Sequence, residues 1–511
     1  MLGRMANPFK RLVVLMLENR SFDHMLGYLK AANYPIDGLD GDETNLPQGE
    51  GPSIQVSPAA RSISDLDPDP SHEFPDVNLQ IFSNSAGEDT GQSKMQGFVQ
   101  NYAKVSGSAS QGARIMKCFH GKSLPVLATL ARQFAACDRW FSSVPGSTIP
   151  NRLFACAATS GGSLTQDAVL APAAAKTIFE IIDDPANPAT FRIYTNGPSV
   201  LMTNLYLARR QNKFFDYKRF KDDCLENLLP EFTFVEPSYD NDIRNGIFAT
   251  SQHPDFAVDA GEALISEVYS AIRDSPLWND TLLLIVYDEH GGLFDHVTPP
   301  TLVRDPQFPD IPASKDFGFK WDRLGVRVPA VFVSPWIRAG TILHQQFDHC
   351  SIVATIRKLF CLDKDKAPFN WREGQAATFE DIANLAAMRP DKPILPHATA
   401  SDGTIPLPRA VVLSDADRQA ANAAMAAAGM APAAHIADPD PITPDAAAVP
   451  AANGRKPAQL TLQIAHAAEN TVRQMGKKTT TTADQIVTTD DATDFLEQAM
   501  ALMGRTVGAG R

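Results

Sequence analysis

Residues 281–297, TLLLIVYDEHGGLFDHV, constrain this chain more than any other stretch. Thr281 to Tyr287 form a short run rich in Leu, Ile and Val, and Gly291-Gly292 follow closely. A run of that length bounded by turn residues reads as a buried strand of a parallel sheet. Asp288, Glu289, His290, Asp295 and His296 then place five ionisable side chains within nine residues at its carboxyl end. Ligands bind beyond that end in open α/β sheets. A solvated turn would account for an isolated Asp-Glu-His triplet. A second cluster beyond a Gly-Gly pivot points instead to a cation, a phosphate, or both.

The same arrangement recurs near the start. Residues 11–17, RLVVLML, read as a strand, and Glu18, Asn19, Asp23 and His24 follow it. If the two strands are neighbours in one sheet, their acidic ends meet. Residues 123–137 show helical spacing, with Ser123 as N-cap and Pro125 in the first turn. Residues 138–144 read as a strand and 153–162 as a helix. Between them, Pro145 to Arg152 form a Gly/Pro-bounded strand-to-helix turn carrying Ser147 and Thr148. Such a turn exposes a hydroxyl nucleophile at a helix N-terminus, where an anion is favoured. Simple helix capping by Ser147 or Thr148 is the alternative.

Further strands are expected at 190–195, 231–236 and 326–334, where Pro329 suggests an edge or strand-start position. Helices are expected at 176–184, about 257–273 and 351–360. Asp348-His349, before the last of these, form a candidate ligand pair or a cap. His72 sits in a Pro-stiffened loop, and residues 36–115 otherwise lack periodicity apart from a helix expected within 95–115. Alternating strands and helices make the class α/β, with a largely parallel central sheet flanked by helices.

With a net charge of −13, the chain is a poor candidate for nucleic-acid binding by counterion release. No run is long and apolar enough to span a membrane. Leu12–Leu17 runs straight into Glu18 with no cleavage site, so no signal peptide is visible, and the expected location is cytoplasmic or reached by a signal-less route. The six cysteines are scattered without a C-x-x-C pair, which suggests neither a zinc knuckle nor a disulfide framework. Three segments are expected: a catalytic domain over 1–405, an Ala/Pro-rich helix (409–428) and linker (429–457) within 406–457, and a helical tail over 458–511 that packs on the main domain, mediates homo-oligomerisation or binds a partner. There is no G-x-S-x-G elbow, Walker A loop or dinucleotide-binding glycine fingerprint.

Three segments together, ENRSFDH (18–24), GSTIPNR (146–152) and DEHGGLFDHV (288–297), resemble the motif set of a bacterial phosphoesterase family. That family includes phosphatidylcholine-type phospholipases C and acid phosphatases, and the resemblance covers roughly residues 10–365. It implies an alkaline phosphatase-like fold and one or more divalent metal ions, zinc or calcium, held by Glu18, Asn19, Thr148, Asp288 and Glu289. It also implies Thr148 as a nucleophile passing through a phosphothreonine, with Ser147 in reserve. His72 and His253 match histidines that act on the phosphate, while Asn151, His290 and His296 are candidate substrate-binding residues. The expected activity is phospholipase C-like cleavage of a small phosphate ester or phospholipid. The alternatives are an acid phosphatase and a catalytically silent metal- or phosphate-binding protein.

Overall fold

Leu12–Leu17 and Thr281–Tyr287 are buried on both faces, and a strand with no polar face must lie inside a covered sheet. In the computed structural model this is where they lie. The structure describes residues 7–396, apart from 48, 63–65, 84–94, 167, 169–175, 242–247, 361 and 363–366, together with parts of 462–503. The strands are β1 (Arg11–Leu17), β2 (Thr44–Asn45), β3 (Ile54–Gln55), β4 (Ala135–Cys137), β5 (Trp140–Phe141), β6 (Phe191–Thr195), β7 (Phe214–Asp216), β8 (Phe232–Val235), β9 (Thr281–Tyr287), β10 (Ala330–Val333), β11 (Thr341–Leu343) and β12 (Phe347–Asp348). Eight of them form one sheet in the order β11-β4-β10-β9-β1-β8-β6-β7, and the rest pair as β12-β5 and β2-β3.

Every pairing in the large sheet is parallel except those of β10, which runs antiparallel to β4 and β9. The expected α/β class with a largely parallel sheet is therefore borne out. The two acidic strands are neighbours, in a register that pairs Arg11 with Thr281 and Leu17 with Tyr287. Asp288 N–H donates to Leu17 O at 3.2 Å, continuing the ladder one step beyond the strands. Glu18 and Asp288 consequently emerge side by side.

Several boundaries differ from expectation. The helix expected over 123–137 runs from Pro125 to Gln133 and gives way to β4. Its N-cap is Leu124, not Ser123, and no capping side chain comes from its own segment. The orphan donors of its first turn are met from across the core: the Glu262 carboxylate accepts from Val126 N (2.6 Å) and Leu127 N (3.1 Å). The strand expected at 138–144 shrinks to β5, because only Trp140 and Phe141 pair with Phe347 and Asp348. Pro329 precedes β10 as a strand start, but β10 lies inside the sheet rather than at its edge. The aperiodic stretch 36–115 hides a helix at Phe74–Phe82 as well as the expected one, which spans Phe98–Ser106. The expected helix 409–428 and linker 429–457 lie outside the described residues. In the tail a helix spans Thr489–Met503, and Phe495, Leu496 and Ala499 belong to the same apolar cluster as the sheet.

Glu262 gives a stability test. Burial pushes its carboxyl up to about 8, against the pull of the two backbone donors. Glu262→Ala strands both buried N–H groups, and the expected loss is roughly 1–3 kcal/mol. The measurement is a shifted urea midpoint at unchanged m-value.

Candidate active site

The helix expected to follow the Pro145–Arg152 turn begins within it, at Thr148, and runs to Ala157. Thr148 is thus the first helical residue and Ser147 the N-cap, which makes no capping hydrogen bond with its side chain. The turn is held from inside: Asn151 Oδ1 accepts from Val144 N (3.0 Å), and its Nδ2 donates to Gly146 O (3.0 Å) and Ser147 O (3.1 Å). Asn151, expected to bind substrate, spends its amide on this turn.

The two hydroxyls point apart. Thr148 Oγ1 donates to Asn19 Oδ1 at 3.3 Å. Ser147 Oγ donates to Glu73 Oε2 at 3.1 Å. Asn19 holds a left-handed φ of 55°, a sparsely populated conformation for a residue with a side chain. Gly291 accommodates it: at φ 65°, a Cβ there would lie 2.2 Å from Asn19 O, so no side chain fits. The Gly-Gly pivot therefore lets the 288–292 turn close on the end of β1.

Glu18, Asn19, Thr148, Asp288 and Glu289, named as one set from the sequence, are all fully buried. Asp288 Oδ1 accepts from Asn19 N (3.1 Å) and Glu289 N (2.7 Å), and its Oδ2 accepts from Arg152 Nε (2.9 Å). Glu289 Oε2 accepts from Gly291 N at 2.7 Å. Glu18 Oε2, Glu289 Oε1 and Asp69 Oδ1 are buried and have no hydrogen-bond partner. Burial and the neighbouring carboxylates push Glu18 up to about 8, against the pull of Arg152. Crowded buried carboxylate oxygens with nothing to accept from are costly unless a cation meets them. Oxygen donors of this kind suit a divalent ion, although the carboxylate and imidazole atoms that converge to within 4.8 Å among the described residues belong to Asp69, His253 and Asp255, and to Asp23, Asp295 and His296.

His72 and His253 flank Asp69. His72 Nδ1 lies 2.8 Å from Pro70 O, its Nε2 3.7 Å from Glu289 Oε1 and 3.4 Å from Asn19 Nδ2. His253 Nε2 lies 3.8 Å from Asp69 Oδ2, and its Nδ1 3.4 Å from Asp255 Oδ2. Burial works against the charge on both rings. The facing carboxylates outweigh it, holding His72 up at about 9 and His253 at about 10. Both carry a proton at neutral pH.

His290 backs the acidic set: its Nδ1 lies 3.4 Å from Glu289 Oε2, its Nε2 meets Gln80 Oε1 at 2.7 Å, and burial lowers its affinity for a proton. His296 joins a separate ion-pair network, with Nδ1 2.6 Å from Asp23 Oδ2 and Arg327 bridging Asp23 and Asp295. His349 props the site from behind. Its Nε2 contacts the Asp288 carbonyl oxygen at 2.6 Å, and Trp140 Nε1 donates to its Nδ1 at 3.2 Å. Both ring nitrogens are engaged and burial pushes the ring down to about 4, so His349 is neutral and its expected ligand role has no free nitrogen to serve it. Asp348 pairs with Arg372 at 2.7 Å.

Arg152 was missed from the sequence. It sits one helical turn after Thr148, spacing that places both on one face, and its side chain is 1% exposed between Glu18 and Asp288. The only available signal was its place in the GSTIPNR motif. A cavity of about 370 Å³, lined by Leu302, Val303, Phe347, Asp348, Trp371 and Arg372 among others, includes Asp348 of the candidate ligand pair but none of Glu18, Asn19, Thr148, Asp288 and Glu289.

The chain belongs to the phosphoesterase family, whose profile matches residues 9–363 and so spans the strand ends, the Thr148 turn and both histidine loops. It is a hydrolase of phosphoric ester bonds. It is 41% identical over 421 residues to non-specific phospholipase C6 of Arabidopsis thaliana, covering 78% of this chain and 77% of that one. It is 27% identical over 449 residues to phospholipase C B of Mycobacterium tuberculosis, covering 76% and 80%. Among solved structures, a protein in the alkaline phosphatase superfamily from Vibrio parahaemolyticus matches 47% of this chain and 60% of its own, at 11% identity and TM-score 0.29. A likeness that slight carries no argument, and the fold class rests on the sheet itself. No helix among the described residues is long and apolar enough to cross a membrane.

Proposed function

We propose that this chain is a phospholipase C-type phosphodiesterase that cleaves through a covalent Thr148 intermediate. The observation that carries the proposal is the direction of the Thr148 hydroxyl, turned towards Asn19 while Ser147 is turned away to Glu73. The phospholipase C relatives, similar over more than three quarters of the chain, support the substrate class. Glu18, Asn19, Asp288 and Glu289 would hold a divalent ion. That ion would screen phosphate charge and make the Thr148 hydroxyl easier to deprotonate. An oxygen-rich donor set suits calcium better than zinc.

The remaining work falls to the chain's own residues. Thr148 releases its hydroxyl proton to solvent as Oγ1 attacks phosphorus in line, and the bond from phosphorus to the glycerol-side oxygen breaks. His253 or His72, each protonated, donates a proton to the departing alkoxide. The backbone N–H of Thr148, at the positive end of helix Thr148–Ala157, favours the charge on the phosphoryl oxygens, while Ile149 N–H is already taken by Gln166 Oε1. In the second half the same imidazole, now neutral, takes a proton from water as its oxygen attacks phosphorus. The Oγ1–phosphorus bond breaks, Thr148 regains its proton, and the phosphorylated headgroup leaves.

The test compares p-nitrophenylphosphorylcholine with p-nitrophenyl phosphate, and follows diacylglycerol release from phosphatidylcholine vesicles. Release from the diester and the vesicles, with little from the monoester, is the expected result. Release from the monoester alone would replace the proposal with a phosphatase.

A further inference from the structure

We propose that Gln252 is a positioning residue that aims His253 as the proton donor to the departing alcohol, so that its loss slows cleavage chiefly where that alcohol needs a proton. The inference rests on the phosphodiesterase reading and names which of the two imidazoles protonates the alcohol. The rings stand 6.4 Å apart between centroids, close enough to serve one phosphate ester, but they are differently engaged. His72 Nε2 is 3.4 Å from Asn19 Nδ2 and 3.7 Å from Glu289 Oε1, among the proposed metal-binding residues. His253 Nδ1 is spent on Asp255, 3.4 Å from its Oδ2 and 3.4 Å from its backbone N. His253 Nε2 faces Asp69 Oδ2 at 3.8 Å, beyond hydrogen-bond reach, and is left to the substrate.

Gln252, the residue before that ring, is fully buried and holds a left-handed φ of 66°. A residue with a side chain keeps such a conformation only where its surroundings impose it. Here they do so from three segments. Arg20 Nε donates to Gln252 O at 2.6 Å, which gives the arginine of ENRSFDH a role. Tyr287 OH, at the end of β9, donates to Gln252 Oε1. Gln252 Nε2 donates to Val258 O at 2.8 Å, and a Cβ on Gly261 would lie 2.1 Å from Gln252 Cγ, so helix Val258–Arg273 closes directly on the side chain. On either side, Ser251 O accepts from Glu18 N at 2.9 Å and His253 O from Phe256 N at 2.8 Å. The ends of β1 and β9 thus hold the backbone of the proton donor as well as the carboxylates. As the bond from phosphorus to the glycerol-side oxygen breaks, its electron pair stays on that oxygen, the Nε2 proton passes to it, and His253 is left neutral. In the second half Nε2 takes a proton back from the attacking water.

The test compares two soluble phosphocholine diesters that differ only in the alcohol. p-Nitrophenolate leaves p-nitrophenylphosphorylcholine without a proton, whereas the diglyceride of dibutyryl phosphatidylcholine leaves as an alkoxide that needs one. Gln252→Asn keeps a residue that tolerates the left-handed φ, but its side chain is too short to span Tyr287 and Val258. Its kcat/KM is expected to fall about a hundredfold on dibutyryl phosphatidylcholine and only about threefold on the nitrophenyl ester. A merely structural loss would lower both alike. The variant should also release a burst of about one p-nitrophenolate per chain, larger than that of wild type, because hydrolysis of the adduct needs the same imidazole. Tyr287→Phe removes one anchor and should show the same inequality at smaller size. Equal losses on the two diesters, or no loss on dibutyryl phosphatidylcholine, in a folded Gln252→Asn overturn the inference. If Gln252→Asn does not fold, the same outcomes in Tyr287→Phe overturn it. A wild type that cleaves neither diester overturns the phosphodiesterase reading, and this inference falls with it.

Discussion

Thr148→Ala is expected to lower kcat by roughly 10⁴-fold or more, the scale seen when a covalent nucleophile is removed from an otherwise intact site. Thr148 is fully buried, its hydroxyl donates only to Asn19 Oδ1, and the helix it opens is held by Asn151 and Arg152. Truncation therefore leaves the turn in place, and the fold should survive with it. Ser147→Ala removes one hydrogen bond to Glu73 and should keep kcat within about threefold, since it costs one modest interaction that touches neither Thr148 Oγ1 nor the Glu18–Asp288 pair. Acid-quenched wild type mixed with substrate should carry a phosphoryl adduct on the peptide containing Thr148, and Thr148→Ala should carry none. Full activity in Thr148→Ala, or an adduct on Ser147, would end the covalent assignment to Thr148.

Removal of the divalent ion proposed at Glu18, Asn19, Asp288 and Glu289 is the second large expected effect. Chelation is expected to cost roughly 10³-fold or more in kcat, because the ion's charge stabilisation is worth several kcal/mol. Glu289→Gln should behave like the chelated enzyme and should not be rescued by added calcium at moderate concentration. The reason is in the geometry: Glu289 Oε1 is one of the buried oxygens without a partner, while Oε2 is tied to Gly291 N. A glutamine keeps a similar shape and an acceptor but loses the charge. The readout is bound metal per chain together with activity. Loss of activity with metal retained would show that Glu289 acts on something other than the ion. Chelation should also lower the melting temperature of wild type, since the ion binds the folded state and relieves like-charge repulsion among Glu18, Asp288 and Glu289. That shift should be smaller in Glu289→Gln.

Much of this site was legible in the chain because it is local. Period and burial set a strand at 281–287 and another at 11–17, and the motif residues follow each strand directly. A parallel strand buried on both faces has no polar surface of its own, so its ligands must come from the residues just past its end. The helix after Thr148 was placed by a similar local signal, whereas His72 and His253 were assigned only through the resemblance to a known family.

Other features depend on pairings between distant segments, which local pattern does not carry. The cap of helix Pro125–Gln133 comes from Glu262, more than a hundred residues away, and Ser123 therefore has no capping role. His296 reads like His290 in the sequence, but the side chain joins Asp23 and Arg327, in an ion-pair network apart from Thr148. The antiparallel β10 brings Arg327 to that network from the opposite direction.

By itself, then, the sequence determined the class, the two acidic strand ends and the hydroxyl-bearing turn, because strand period, glycine placement and charge clustering act over a few residues. The tertiary structure decided which hydroxyl points inward, which carboxylate oxygens remain without partners, and that one arginine stands between the two strand ends. Those depend on the register of β1 against β9 and on the angle at which the Thr148 helix meets them, and long-range packing sets both.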